Sequence, residues 1–176
     1  MTGTTSLASS LCLDCGLCCN GTIYGYIELE GDELEGDDRA CLTGSDARIE
    51  EHSEGARLMF PCALLDGAAC TIYRNRPSVC RAFSCTVLNQ VAAGDIDETE
   101  ARRRIAEARA AAARTAPYYL PGENPSAARM RWFEQSNRPA DPANAQFNLL
   151  MTALNRLLDR YFRWPDRKRV EFKGPR

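Results

Sequence analysis

Nine cysteines stand at positions 12, 15, 18, 19, 41, 62, 70, 80 and 85, and none follows Cys85. Cysteines used only as small core residues would not crowd into one half of a chain. A thiolate is a metal ligand and a nucleophile, and in a reducing compartment the metal role is favoured over disulfides. The first group, Cys12, Cys15, Cys18 and Cys19, reads C-x2-C-x2-C-C. C-x2-C is the common spacing of zinc knuckles. C-x2-C-x2-C is also how bacterial ferredoxins offer three thiolates to one cubane cluster, the fourth arriving from far along the chain. Cys19, adjacent to Cys18, is expected to point elsewhere and to serve a second centre or the far side of a shared one. The second group is Cys62, Cys70, Cys80 and Cys85. Together the groups make two sets of four, the number that zinc and [4Fe-4S]-type iron–sulfur centres both take. Two four-ligand sites or one larger shared site fit, and the spacing leaves open which cysteines share a centre. Cys41 lies alone among acidic residues and reads as a free thiol. His52, the only histidine, sits on a polar stretch and is not needed as a ligand beside eight thiolates.

Other chemistries leave no trace. There is no G-x-G-x-x-G, G-x4-G-K-[ST], G-x-S-x-G or H-E-x-x-H pattern. C-x2-C-x2-C differs from the C-x3-C-x2-C that holds radical-generating clusters. A disulfide-rich secreted protein is disfavoured by the odd cysteine count, the vicinal Cys18-Cys19 pair and a start that lacks basic and apolar signal regions. The cytoplasm is therefore the expected location. No apolar run approaches the roughly 18 residues of a membrane span. Residues 1–94 carry a balance of −7 and residues 95–176 one of +5, so the halves can attract each other. The basic residues of the second half are not interleaved with aromatics as a nucleic-acid platform requires. Neither a membrane nor a nucleic acid is expected as a partner, whereas a protein partner is compatible with the sequence.

The elements that must position these thiols are short in the first half and helical in the second. Residues 1–11 read as a frayed Ser/Thr-rich tail and Cys12–Cys19 as a compact loop. Thr22–Leu29 alternates as a strand with Ile23, Ile27 and Leu29 on one face. Gly31–Asp38 is an acidic loop, and Ser45–Arg57 reads as a short polar helix capped by Ser45. Arg57–Leu65 and Ala69–Tyr73 form strands around an Asp66-Gly67 turn, which would set Cys62 nearly opposite Cys70. Pro77 suits the first turn of a helix running to Ala93. Helices are expected over Asp97–Thr115, with a stripe of Ile105, Ala108 and Ala112, and over Ala127–Gln135. A third starts at Asp141-Pro142, carries Phe147, Leu150, Met151, Leu154, Leu157, Leu158 and Tyr161 at helical spacing, and ends at Pro165. Pro117–Pro125 is a loop. The fold class is α+β: a cysteine-rich domain over 12–95, a helical extension over 96–165 that covers it, and flexible tails at 1–11 and 166–176.

The sequence resembles a known family on particular residues. C-x2-C-x2-C-C is followed by Pro61-Cys62, Cys70-Thr71-Ile72-Tyr73, and Arg76-Pro77-x2-Cys80-Arg81-x-Phe83-x-Cys85. In that order they resemble the YkgJ-like CxxCxxCC family of zinc- or iron-chelating domains, over about residues 12–86. The resemblance implies metal chelation by Cys12, Cys15, Cys18, Cys19, Cys62, Cys70, Cys80 and Cys85. The family also includes flagellin lysine N-methylases, so it implies as an alternative a cluster-dependent redox or methyl-transferring enzyme. Between the two cofactors, the ferredoxin-like triplet favours iron–sulfur over zinc. A cation held by four thiolates is negative overall, about −2 for zinc. Arg74, Arg76 and Arg81 lie near the second group in sequence and are expected to hydrogen-bond sulfurs and offset that charge. Tyr73 and Phe83 read as core residues.

Overall fold

The structure is a computed structural model that describes residues 6–29, 42, 45–53, 55–136 and 141–163. The expectations for Gly31–Asp38, Cys41, Pro165 and the 166–176 tail lie outside those residues.

The first helix, α1 (Leu7–Cys15), is started by Ser6, whose hydroxyl accepts from the Ser9 N–H at 3.2 Å. It corrects two expectations, the frayed start and the loop at Cys12. Leu11, fully buried, supplies the apolar anchor that a frayed tail would lack. Gly16 ends the helix at φ +65°, and its N–H bonds back to the Cys12 carbonyl. That conformation suits glycine, and here the packing demands it as well. A Cβ on Gly16 would stand 2.8 Å from the Ala68 backbone.

Three antiparallel strands follow, β1 (Tyr26–Leu29), β2 (Ile49–His52) and β3 (Gly55–Met59), in the order β1-β3-β2. Tyr26 pairs with Met59 and Leu29 with Ala56, while Ile49 pairs with Leu58 and His52 with Gly55. The expected helix over Ser45–Arg57 is thus a hairpin. Its reason is period-two burial: Ala56, Leu58 and Phe60 are buried, whereas Arg57 faces outward across the Tyr26 ring and pairs with Glu28 at 2.8 Å. The Asp66-Gly67 turn is present but its strands are short, β4 (Leu65–Asp66) and β5 (Ala69–Cys70), with Leu65 opposite Cys70. Cys62 lies before β4 rather than opposite Cys70. Its carbonyl accepts from the Leu65 N–H at 3.1 Å.

The helix expected from Pro77 to Ala93 is two helices, α2 (Ser78–Ala82) and α3 (Thr86–Ala93), with Cys85 as the N-cap of the second. Next come α4 (Glu98–Thr115), α5 (Pro125–Ser136) and α6 (Ala145–Tyr161). Asp97 caps α4 through the Glu100 N–H at 2.8 Å. Asp141 caps a short 3-10 turn (Pro142–Asn144) ahead of α6. The α+β class and the helical second half match the sequence reading.

Burial separates into two cores. Leu11, Leu17 and Ile23 join Val87, Ile105, Met151, Leu158 and Phe162 in the helical core. Leu29, Leu42, Ala56, Leu58 and Phe60 form the sheet core. Among the described residues, no helix is long and apolar enough to cross a membrane.

Candidate metal centre

Cys12 and Cys15 lie three apart on α1, hence on one face of it. The chain then turns tightly: the Asn20 N–H bonds the Gly16 carbonyl at 2.9 Å and the Ile23 N–H bonds Leu17 at 3.0 Å. Cys18 and Cys19 sit at the bend. Two contacts bring this turn to the second group. The Cys62 N–H donates to the Cys19 carbonyl at 2.7 Å. Gly16 rests on Ala68, in the turn that precedes Cys70. Thiols remote in sequence are therefore neighbours in space.

Their charge neighbourhoods overlap at Cys12 and between Cys18 and Cys19. Cys18 feels the charges of Cys85, Cys15, Cys19 and Cys12, and Cys15 those of Cys85 and Cys12. Cys19 feels Cys12 first, then Cys62, Cys80 and Cys70, and Cys62 feels Cys70. Packing places five of the thiols. Cys15, Cys18 and Cys85 pack in the helical core, whereas Cys62 and Cys80 pack against the sheet core. Cys12 touches both neighbourhoods electrostatically, so the two sets are adjacent.

Burial dominates the electrostatics. It pushes the Cys15 and Cys19 thiols up to about 12 and Cys18 well above its ordinary value, with neighbouring thiolates adding to the rise. Burial raises Cys62 and Cys85 as well, against backbone N–H groups that favour the thiolate. For Cys62 that N–H belongs to Leu64; for Cys85 those of Leu88 and Val87 do most, without closing a full capping hydrogen bond at the start of α3. Ionising several such thiols together requires a compensating cation.

The eight described cysteines are free thiols. Among the described residues, no three Cys, His, Asp or Glu side chains already form a metal-coordinating arrangement. The donor set has the chemistry for zinc or iron: eight reduced thiols, whose ionisation and metal binding are coupled.

The arginines near the second group make contacts of their own. Arg76 stacks over Tyr73, 3.9 Å from the ring centroid, and its carbonyl accepts from Arg81; Arg74 is exposed. Arg109 of α4 also reaches a cysteine with its charge: it favours the Cys15 thiolate and donates to the Asp14 carbonyl. Sequence reasoning missed it because 94 residues separate it from Cys15. The available signal was the Arg-rich α4 next to an acidic residue at the end of α1. His52 stands away from the thiols, with its Nε2 3.0 Å from Glu28.

The model of the family described as "CxxCxxCC: Putative zinc- or iron-chelating domain" matches residues 11–112. The chain belongs to this family. The match covers all eight cysteines and extends through most of α4. The Escherichia coli O157:H7 protein YkgJ, itself uncharacterized, is 34% identical over 86 residues, which are 46% of this chain and 79% of the relative. No solved structure matches the chain. Membership in a zinc- or iron-chelating family supports metal binding.

Proposed function

We propose that the protein chelates iron or zinc at two adjacent centres, one built by Cys12, Cys15, Cys18 and Cys85 and the other by Cys19, Cys62, Cys70 and Cys80. The observation that carries the proposal is the packing of Cys15, Cys18 and Cys85 against one core and of Cys62 and Cys80 against the other. Cys70 joins the second set through its charge on Cys62 and Cys19, and Cys12 and Cys19 lie where the sets meet and complete the four ligands that a closed thiolate site takes. The vicinal pair then has a physical role: adjacent residues aim their side chains apart, so Cys18 serves one set and Cys19 the other.

Iron–sulfur is the favoured cofactor. Cys12, Cys15 and Cys18 supply the triplet on one side of the turn, and Cys85 arrives from far along the chain as the fourth, the ferredoxin pattern of ligation. Such a group bound there would supply electron transfer or redox sensing, while the chain's residues bind it, balance its charge and exclude water. The cytoplasm, where thiols stay reduced, suits this role.

The test is metal and acid-labile sulfide analysis of protein purified without oxygen. The expected result is a brown protein with about eight iron per chain, or a colourless one with about two zinc if both sites are structural. Cys85→Ser and Cys70→Ser should each remove about half of the metal. A protein without metal, with all its thiols open to titration, would end the proposal. Loss of all the metal in either single variant would replace two centres by one shared site.

A further inference from the structure

The helical half beyond the family match reaches back to the cysteine turn at defined points. Arg129 of α5 is only 7% exposed. Its Nη1 donates to the carbonyls of Thr22 and Ile23, both at 2.6 Å. Those residues are the exit of the turn that carries Cys18 and Cys19. Arg163, just past α6, donates from Nη2 to the same Ile23 carbonyl at 3.3 Å. The backbone of this segment also grips the start of α3. The Thr86 N–H bonds the Phe162 carbonyl at 3.2 Å, and its hydroxyl bonds the Arg163 carbonyl at 3.1 Å. Thr86 follows Cys85 directly. Phe162 is fully buried in the helical core and fixes the segment in place.

Residues 162–163 therefore bridge two pieces of chain that carry members of one thiol set. One is the turn that carries Cys18 together with Cys19, and the other is the N-cap residue Cys85. The span from that turn to Cys85 is one that only the centre containing Cys85 has to close. Burial pushes the Arg129 guanidinium down to about 10, with the Arg163 charge as the next cause, so Arg129 stays charged near neutrality and binds its two carbonyls as a cation. Charge-assisted bonds of this kind are among the stronger ones in a protein.

We propose, resting on the two-centre reading, that Arg129 and Arg163 are positioning residues for the Cys12–Cys15–Cys18–Cys85 centre alone. They hold the Cys18 turn and the Cys85 cap at the separation that four-thiolate coordination needs. The second half of the chain is then a brace specific to one centre, and the other centre is set by the hairpin and α2.

The test uses the full chain loaded anaerobically with zinc, with release to an excess of a colour-forming chelator followed in time. Cys85→Ser and Cys70→Ser identify which phase belongs to which centre. Arg163→Met and Arg129→Met are expected to accelerate the Cys85-dependent phase about 10- to 100-fold, the usual range for groups that orient metal ligands. The Cys70-dependent phase should stay within about twofold, and Arg163→Lys should restore part of the lost retention. A general loss of stability would speed both phases alike, and that result, or no change in either, overturns the proposal. Should Arg129→Met fail to fold, Arg163→Met decides alone, since Arg163 lies nearer the surface. Failure of the two-centre reading would show instead in the unmutated chain, as no zinc retained or as a single phase lost in both Cys variants.

Discussion

The two cores support their thiols with unequal means. The helical core gathers fifteen buried residues among those described, drawn from α1, the cysteine turn, α3, α4, α5 and α6. The sheet core gathers five. Both border one set of thiols, yet the first can stand on packing whereas the second has little apolar area to offset the entropy of ordering its chain. Small domains of that kind draw folding free energy from their metal, about 10 kcal/mol for an all-thiolate zinc site. Metal removal is therefore expected to act unevenly. Amide hydrogen exchange with and without chelator should show protection lost across residues 62–82 and β1–β3, and largely kept in α4 and α6. Equal loss in both regions would mean that the cores are not separable.

The same contrast explains what was legible in the sequence. α4 and α6 carry their apolar stripes and caps in a single run, so Asp97, Ile105 and Leu158 announce them without help from distant residues. The C-x2-C-x2-C-C run was legible as a motif because its spacing is local, and the family match spans it. The sheet side was not. Ser45–Arg57 looked helical because its caps and charges are local signals, while the strand that backs its hairpin, with Tyr26 and Leu29 pairing Met59 and Ala56, lies far along the chain. α1 was lost for a related reason. Leu7, Leu11 and Leu13 are scattered through a Ser/Thr-rich stretch, and only the core that closes over Leu11 reveals the helix. The division of the thiols between centres depends on contacts such as Cys62 with Cys19, which no spacing rule encodes.

Core substitutions probe the packing side of the comparison directly. Leu158 is fully buried, and its carbonyl accepts from both Phe162 and Arg163. Leu158→Ala should cost about 2–5 kcal/mol in urea unfolding of the metal-loaded protein. A cost below about 1 kcal/mol would show that packing of α6 is not what supports the helical side. A smaller effect is expected where the two regions meet. Gly16→Ala places a side chain at φ +65° and against the Ala68 backbone, for a cost of about 1–3 kcal/mol. Because Gly16 joins α1 to the hairpin, this variant should also loosen retention at the Cys70-dependent centre. Unchanged retention there would locate the coupling elsewhere.

Acid titration separates the regions by the smallest of these effects. Each side carries at least one carboxylate whose pKa is lowered in the folded state, and Glu123 and Glu28 make the comparison. Glu123 is held down chiefly by its hydrogen bonds to Arg131, Nε to Oε1 and Nη2 to Oε2, each 2.8 Å, and its side chain is 9% exposed. Glu28 gains from Arg57 and His52, against a burial cost, with its side chain 49% exposed. A carboxyl whose folded pKa lies below its unfolded value of about 4.3 stabilises the protein above that value. The contribution fades as pH falls through the folded pKa. Solvent screens Glu28 and keeps its pair weak, whereas the forked pair of Glu123 also ties the α4–α5 connection to Phe147, over which Arg131 lies at 3.8 Å. Glu123→Gln should therefore cost about 1 kcal/mol at neutral pH and flatten the acid limb of the stability curve. Glu28→Gln should change that limb less. If urea midpoints between about pH 3 and pH 6 moved more for Glu28→Gln than for Glu123→Gln, the sheet side would be the one resting on its charges, and the contrast drawn between the two cores would have to be reversed.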